Sequence, residues 1–93
     1  MNYIVKNVPN TSNEPLPNGC SCWLDYWENK KGEKAYRCAK CGSYHNLVGA
    51  HVYCLTRNDR VAVFIVPLCS SCNQISTNQE FSIDLEPVYL REK

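Results

Sequence analysis

At 93 residues, 44% apolar and 20% charged, the chain is sized for one domain (1–93) with a core small enough that a metal cross-link would supply much of its stability. A formal net charge of +1 is too small to announce nucleic-acid binding by itself, and no apolar span is long enough for a membrane. Seven cysteines, an odd number, fit metal ligation with spare thiols better than a closed disulfide set, and with no basic segment leading into an apolar run at the start, a reducing cytoplasm is expected.

The β-branched and aromatic content of residues 3–8 predicts a short strand, ended by Pro9, which lacks a backbone donor. Residues 10–19 are polar except for Leu16 and read as a connection. Residues 21–31 read as a helix, with Trp23, Leu24 and Trp27 on one face, Ser21 as its cap and Gly32 as its terminator. Asp25 and Glu28 precede Lys30 and Lys31, the order a helix dipole favours. The two tryptophans are expected to fill the core of a chain with only two phenylalanines, the other reading being a base-stacking surface.

Two cysteine pairs of equal spacing, Cys38-x-x-Cys41 and Cys69-x-x-Cys72, make a complete tetrahedral zinc set of soft thiolates, with no position left for a catalytic water. The 27 residues between Cys41 and Cys69 exceed the roughly 15 to 20 of a compact ribbon, so a folded insert is expected. Apolar runs at 47–55 and 61–66, joined by the turn-forming residues 56–60, predict that insert to be a β-hairpin. Pro67 is expected to stop the second strand, and a short helix over 70–76 to hold Cys69 and Cys72 in its first turn. Phe81, Ile83 and Leu85 alternate with polar residues in a C-terminal strand over 81–90 that Pro87 interrupts, and the last three residues are expected to fray.

Three cysteines remain. Cys20 and Cys22, one residue apart, form a cramped pair for which His45 or His51 would complete a second metal site; the alternative is small thiols packing beneath Trp23. Cys54 reads as an unpaired strand residue, and no cysteine has the surroundings of a thiol nucleophile. Charge is segregated along the chain: residues 30–60 hold seven basic and two acidic side chains, a balance of +5, whereas 61–90 hold only Glu80, Asp84 and Glu86. Either one face is basic, or the charges intersperse on the folded surface.

Knuckle, hairpin, then a helix carrying the second cysteine pair resembles a treble-clef zinc finger, and residues 38–77 are similar to an HNH endonuclease domain. The likeness rests on the two hooks, on Val48-Gly49-Ala50-His51-Val52 and on the block Val66-Pro67-Leu68-Cys69-Ser70-Ser71-Cys72-Asn73. It implies an α+β fold in which Cys38, Cys41, Cys69 and Cys72 hold one structural zinc beside a separate site for a divalent metal. His51 matches the family's general base and Asn73 a metal ligand. Ala50 stands where the family has another ligand, and an apolar residue of 63–66, best Phe64, where it has an orienting Asn. The site is therefore expected to be degenerate, and the chain a non-catalytic zinc module that binds nucleic acid or a protein. An active nuclease using His51, Asn73 and a carboxylate such as Asp59 or Glu80 is one alternative, and a small adaptor or inhibitor is another.

Overall fold

The structure, a computed structural model, describes residues 2–8, 16, 19–57 and 62–90. Pro9, nearly all of the 10–19 connection, residues 58–61 of the hairpin turn and the last three residues lie outside that set.

Period-two alternation governs the sheet. In β1 (Tyr3–Asn7), Val5 and Asn7 are buried while their neighbours are only partly covered. β1 pairs antiparallel with β2 (Leu47–Cys54) on one side and β4 (Glu80–Ile83) on the other; β2 pairs with β3 (Val63–Cys69), which pairs with the short β5 (Val88–Tyr89). The result is a five-stranded antiparallel sheet in the order β4-β1-β2-β3-β5. With α1 (Trp23–Lys31) and α2 (Ser70–Asn73) it makes a small α+β architecture.

Because facing residues share a side of the sheet, the registers separate two apolar layers. One face carries Val5, Ala50, Val52, Cys54, Phe64, Val66, Leu68, Phe81 and Ile83, packed with Cys38, Ala39, Cys69 and Cys72. The other brings Ile65 and Val63 against Tyr26 and Trp27 of α1, with Leu90 closing the cluster. Residues 84–87 carry the chain from one sheet edge to the other and are held from several directions. Trp27 Nε1 donates to the Glu86 carbonyl at 2.9 Å, Tyr26 Oη donates to the Tyr89 carbonyl at 2.8 Å, and Glu86 bridges Lys31 and Arg57.

Four expectations change. β3 runs through Pro67 to Cys69, because the Pro67 carbonyl, and hence its missing N–H, faces away from β2: that carbonyl accepts from Ala39 N at 2.9 Å, so no bond of the β2–β3 ladder is lost. The single strand over 81–90 is two strands on opposite edges. The helix after the second hook lasts four residues, not seven. Cys22, not Ser21, is the N-cap of α1, and Ser21 Oγ donates instead to Asp25 Oδ2 at 2.9 Å. Gly32 ends α1 as expected, its φ of 71° allowing its N–H to reach the Glu28 carbonyl at 2.8 Å.

Trp27 is buried to 1% exposure, whereas Trp23 is half-buried and meets Tyr26 and His51 edge-on. The charges segregated in sequence meet in space: Arg37 pairs with Asp84 at 2.8 Å, and Lys31 and Arg57 share Glu86. No helix of the described residues is long and apolar enough to cross a membrane.

Candidate metal centre

Hairpin register solves the problem of the long insert. Asn46, at φ 55°, turns the chain from the first hook into β2, and the β2–β3 pairing then sets Leu47 opposite Cys69. However many residues the hairpin holds, its two ends return to the same place, so the hooks meet. Cys38 and Cys41 sit on a tight knuckle in which Gly42 N donates to the Cys38 carbonyl at 3.0 Å and Cys38 N to the Ser43 carbonyl at 2.8 Å. Gly42 adopts φ 80°, a conformation open to glycine. Two bonds fix the knuckle to the rest of the fold, Ala39 N to the Pro67 carbonyl and Asp84 N to the Ala39 carbonyl at 3.1 Å. Cys69 ends β3 and is the N-cap of α2, whose first turn presents Cys72.

The four sulfurs all lie within 4.8 Å of one another, and those of Cys41 and Cys69 are 3.6 Å apart. A tetrahedron with metal–sulfur bonds of about 2.3 Å has sulfur–sulfur edges of about 3.8 Å, so the set fits one metal ion. Cys38, Cys69 and Cys72 are buried in the first apolar layer and Cys41 is exposed. Burial pushes the Cys38 thiol up, but backbone N–H groups of Cys41, Cys69 and Lys40, with help from the Cys72 side chain, outweigh it and hold the thiol at about 7. Lys40 N and Cys41 N reach Cys38 Sγ at 3.4 and 3.5 Å. Burial and the adjoining Cys69, Cys38 and Cys41 sulfurs push Cys72 in the opposite direction, up. One member thus favours the thiolate while another retains its proton, an arrangement a divalent cation would resolve by displacing the remaining protons.

The other residues singled out from the sequence do not join this centre. His51, buried on β2, lies on the α1 side, its ring 5.2 Å from that of Trp23. Asn73 is exposed at the end of α2, on the opposite side of the sheet. The structure therefore does not bring the two together. Ala50 and Phe64 are buried core residues at 1% and 0% exposure, and Glu80 is exposed on an edge strand. Asp59 lies outside the described residues. Cys20 is half-buried and accepts from Asn29 Nδ2 at 3.5 Å, Cys22 is exposed, and Cys54 is buried with its sulfur 3.6 Å from Thr56 Oγ1. Among the described residues, no group of three metal-ligating side chains includes Cys20, Cys22, His45 or His51.

Sequence reading missed two positions, one that braces the centre and one that seats α1 on the opposite face of the sheet. Asn7, 4% exposed, projects from β1 and donates through Nδ2 to the carbonyls of Cys72 at 3.2 Å, Asn73 at 3.4 Å and Ile75 at 3.0 Å. It thereby supplies a donor to the carbonyls at the end of this short helix, of which that of Cys72 also accepts from Ile75 N at 3.2 Å, and fixes α2 over the sheet. Its one trace in the sequence is a polar residue at an inward position of an alternating strand. Gly49 is the second: a Cβ there would stand 2.4 Å from Leu24 N and from Trp23 C, so the first turn of α1 rests directly on the β2 backbone. Comparison of the chain with protein-family models, curated proteins and solved structures finds no match.

Proposed function

We propose that the chain is a non-catalytic, zinc-stabilised recognition module, an HNH-like treble clef whose scaffold serves the binding of a macromolecule. The observation that carries this reading is the complete four-sulfur set, three of its members buried, which offers a metal all the ligands of a structural site and leaves no position for a reacting water. All-thiolate ligation and compact tetrahedral spacing favour zinc over harder cations. The order of knuckle, hairpin and a helix starting directly after Cys69 supports the treble-clef description. An odd count of seven cysteines, four of them assigned to the metal, fits a reducing compartment such as the cytoplasm.

The nuclease alternative finds less support. A general base must reach the water it activates beside the catalytic metal. His51 instead packs beneath Trp23, and Asn73 is separated from it by the sheet. The test is native mass spectrometry with a cleavage assay on DNA and RNA in Mg²⁺, Mn²⁺ or Ni²⁺. One zinc per chain and no cleavage are expected. Metal-dependent nicking that His51→Ala abolishes, with zinc content and folding retained, would make this protein an enzyme.

A further inference from the structure

We infer that the outer face of the first knuckle is a binding surface for single-stranded nucleic acid, with Tyr36 and Tyr44 as stacking platforms for unpaired bases. This inference rests on the recognition-module reading and names its ligand. Tyr36 and Tyr44 are 61% and 72% exposed, and with Leu16 they are the large exposed hydrophobic residues among those described. They stand on the two arms of one tight turn. The bond from Cys38 N to the Ser43 carbonyl closes those arms next to Tyr44 and two residues from Tyr36.

The rings are exposed on a hydrogen-bonded backbone. His45 N donates to Ser43 Oγ at 3.2 Å next to Tyr44, and Asn46 fixes the exit into β2. On the other arm, the Arg37 guanidinium lies 5.7 Å from the centre of the Tyr36 ring while its Nη1 is held by Asp84. Rigid aromatic side chains lose little freedom when they are covered, which suits them to contact.

Charge favours unpaired bases over a duplex. Residues 34–57 contain no Asp or Glu; Lys40 is exposed on the knuckle, and Lys34, its side chain 89% exposed, makes only a long 3.9 Å pair with Glu28. Arg37, Lys31 and Arg57 are already engaged by Asp84 and Glu86, so few cations remain for phosphates. A zinc held by four thiolates is itself net −2, which opposes a dense phosphate backbone further. Duplex binding draws chiefly on phosphate contacts, whereas binding of single strands gains from base stacking, which every base can supply. The open Tyr44 ring, the Tyr36 ring with Arg37 against it, and the exposed Lys34 and Lys40 match the second case.

The experiment uses the zinc-loaded full chain and fluorescein-labelled 12-nucleotide DNA and RNA strands, single and annealed, followed by anisotropy between 50 and 200 mM salt. Single strands should bind at least about tenfold more tightly than duplex. Two phosphate contacts predict a slope of log affinity against log salt near about −1.4. Tyr36→Ala and Tyr44→Ala should each weaken binding roughly 5- to 150-fold while Tyr44→Phe retains it. Because both rings are exposed, zinc content and thermal transition should be unchanged in all three variants. Equal binding of duplex, or binding indifferent to both alanines, overturns the inference. So does failure to bind any oligonucleotide, which would turn the patch over to a protein contact. One zinc per chain without cleavage would still uphold the module reading in each of these cases.

Discussion

Gly49→Ala tests how the second apolar layer is anchored. The added methyl would sit 2.4 Å from two backbone atoms of α1, whereas ordinary contact begins at 3.4 Å, so the first turn must retreat by about 1.0 Å. Neither neighbour is the end of a flexible side chain that can rotate away. The same displacement, carried along the helix, would stretch the bonds from Tyr26 and Trp27 to residues 89 and 86 well past hydrogen-bonding range from their present 2.8 and 2.9 Å. Overpacking costs about 1–3 kcal/mol and two lost hydrogen bonds about 1–3 kcal/mol more, against a total stability of about 5–15 kcal/mol. Urea unfolding followed by tryptophan fluorescence should report a loss of about 2–6 kcal/mol. Gly32→Ala serves as the control, since no atom lies within 4 Å of its Cβ position and only its φ of 71° is at stake. It should cost about 1–2 kcal/mol. If Gly49→Ala proves the milder of the two, α1 does not rest on β2 in the way described.

Cys41→Ser, or chelation of the wild type, should abolish the cooperative thermal transition, because structural zinc contributes about 10–16 kcal/mol in small metal-folded domains, about the whole stability of a chain this size; an unchanged transition with less than one zinc per chain would refute this. Asn7→Asp replaces the one donor facing three carbonyls with an acceptor, and should lower stability by about 1–3 kcal/mol or more and weaken zinc retention in a chelator competition, an effect Ile4→Ala on the opposite face of β1 should not share. His51→Ala should destabilise the fold by removing the ring beneath Trp23, read as a lower urea midpoint. Lys31 holds Glu86 below its ordinary value of 4.5, with burial opposing and Arg57 assisting. A depressed carboxylate contributes stability above that value and loses it as pH falls through the lower folded-state value, so the gap in urea midpoint between wild type and Glu86→Gln should shrink below about pH 4.5. With the Glu86 side chain 46% exposed, that gap should stay under about 1 kcal/mol.

The metal set, the hairpin and the tryptophan helix were legible in the sequence because each is written in local terms. Two sulfurs three residues apart reach one ion whatever surrounds them, alternation marks a half-buried strand, and Trp23 and Trp27 repeat at a helix period. Pro67 misled for the same reason: locally it breaks a strand, but its effect depends on which way its missing N–H would point, and that is fixed by pairing with residues far away. The charge balance of residues 30–60 carried no sign that Asp84 and Glu86 would neutralise part of it. The sides of the sheet were likewise beyond reach. His51 and Asn73 looked like members of one site because a familiar spacing placed them there, and the order of strands together with the seat of α1 at Gly49 assigned them to opposite sides. Sequence by itself determined which chemistry the chain possesses, since ligand type and spacing are covalent facts. Tertiary structure decided which of those groups meet, since strand register and the choice of face depend on contacts between residues that the chain keeps far apart.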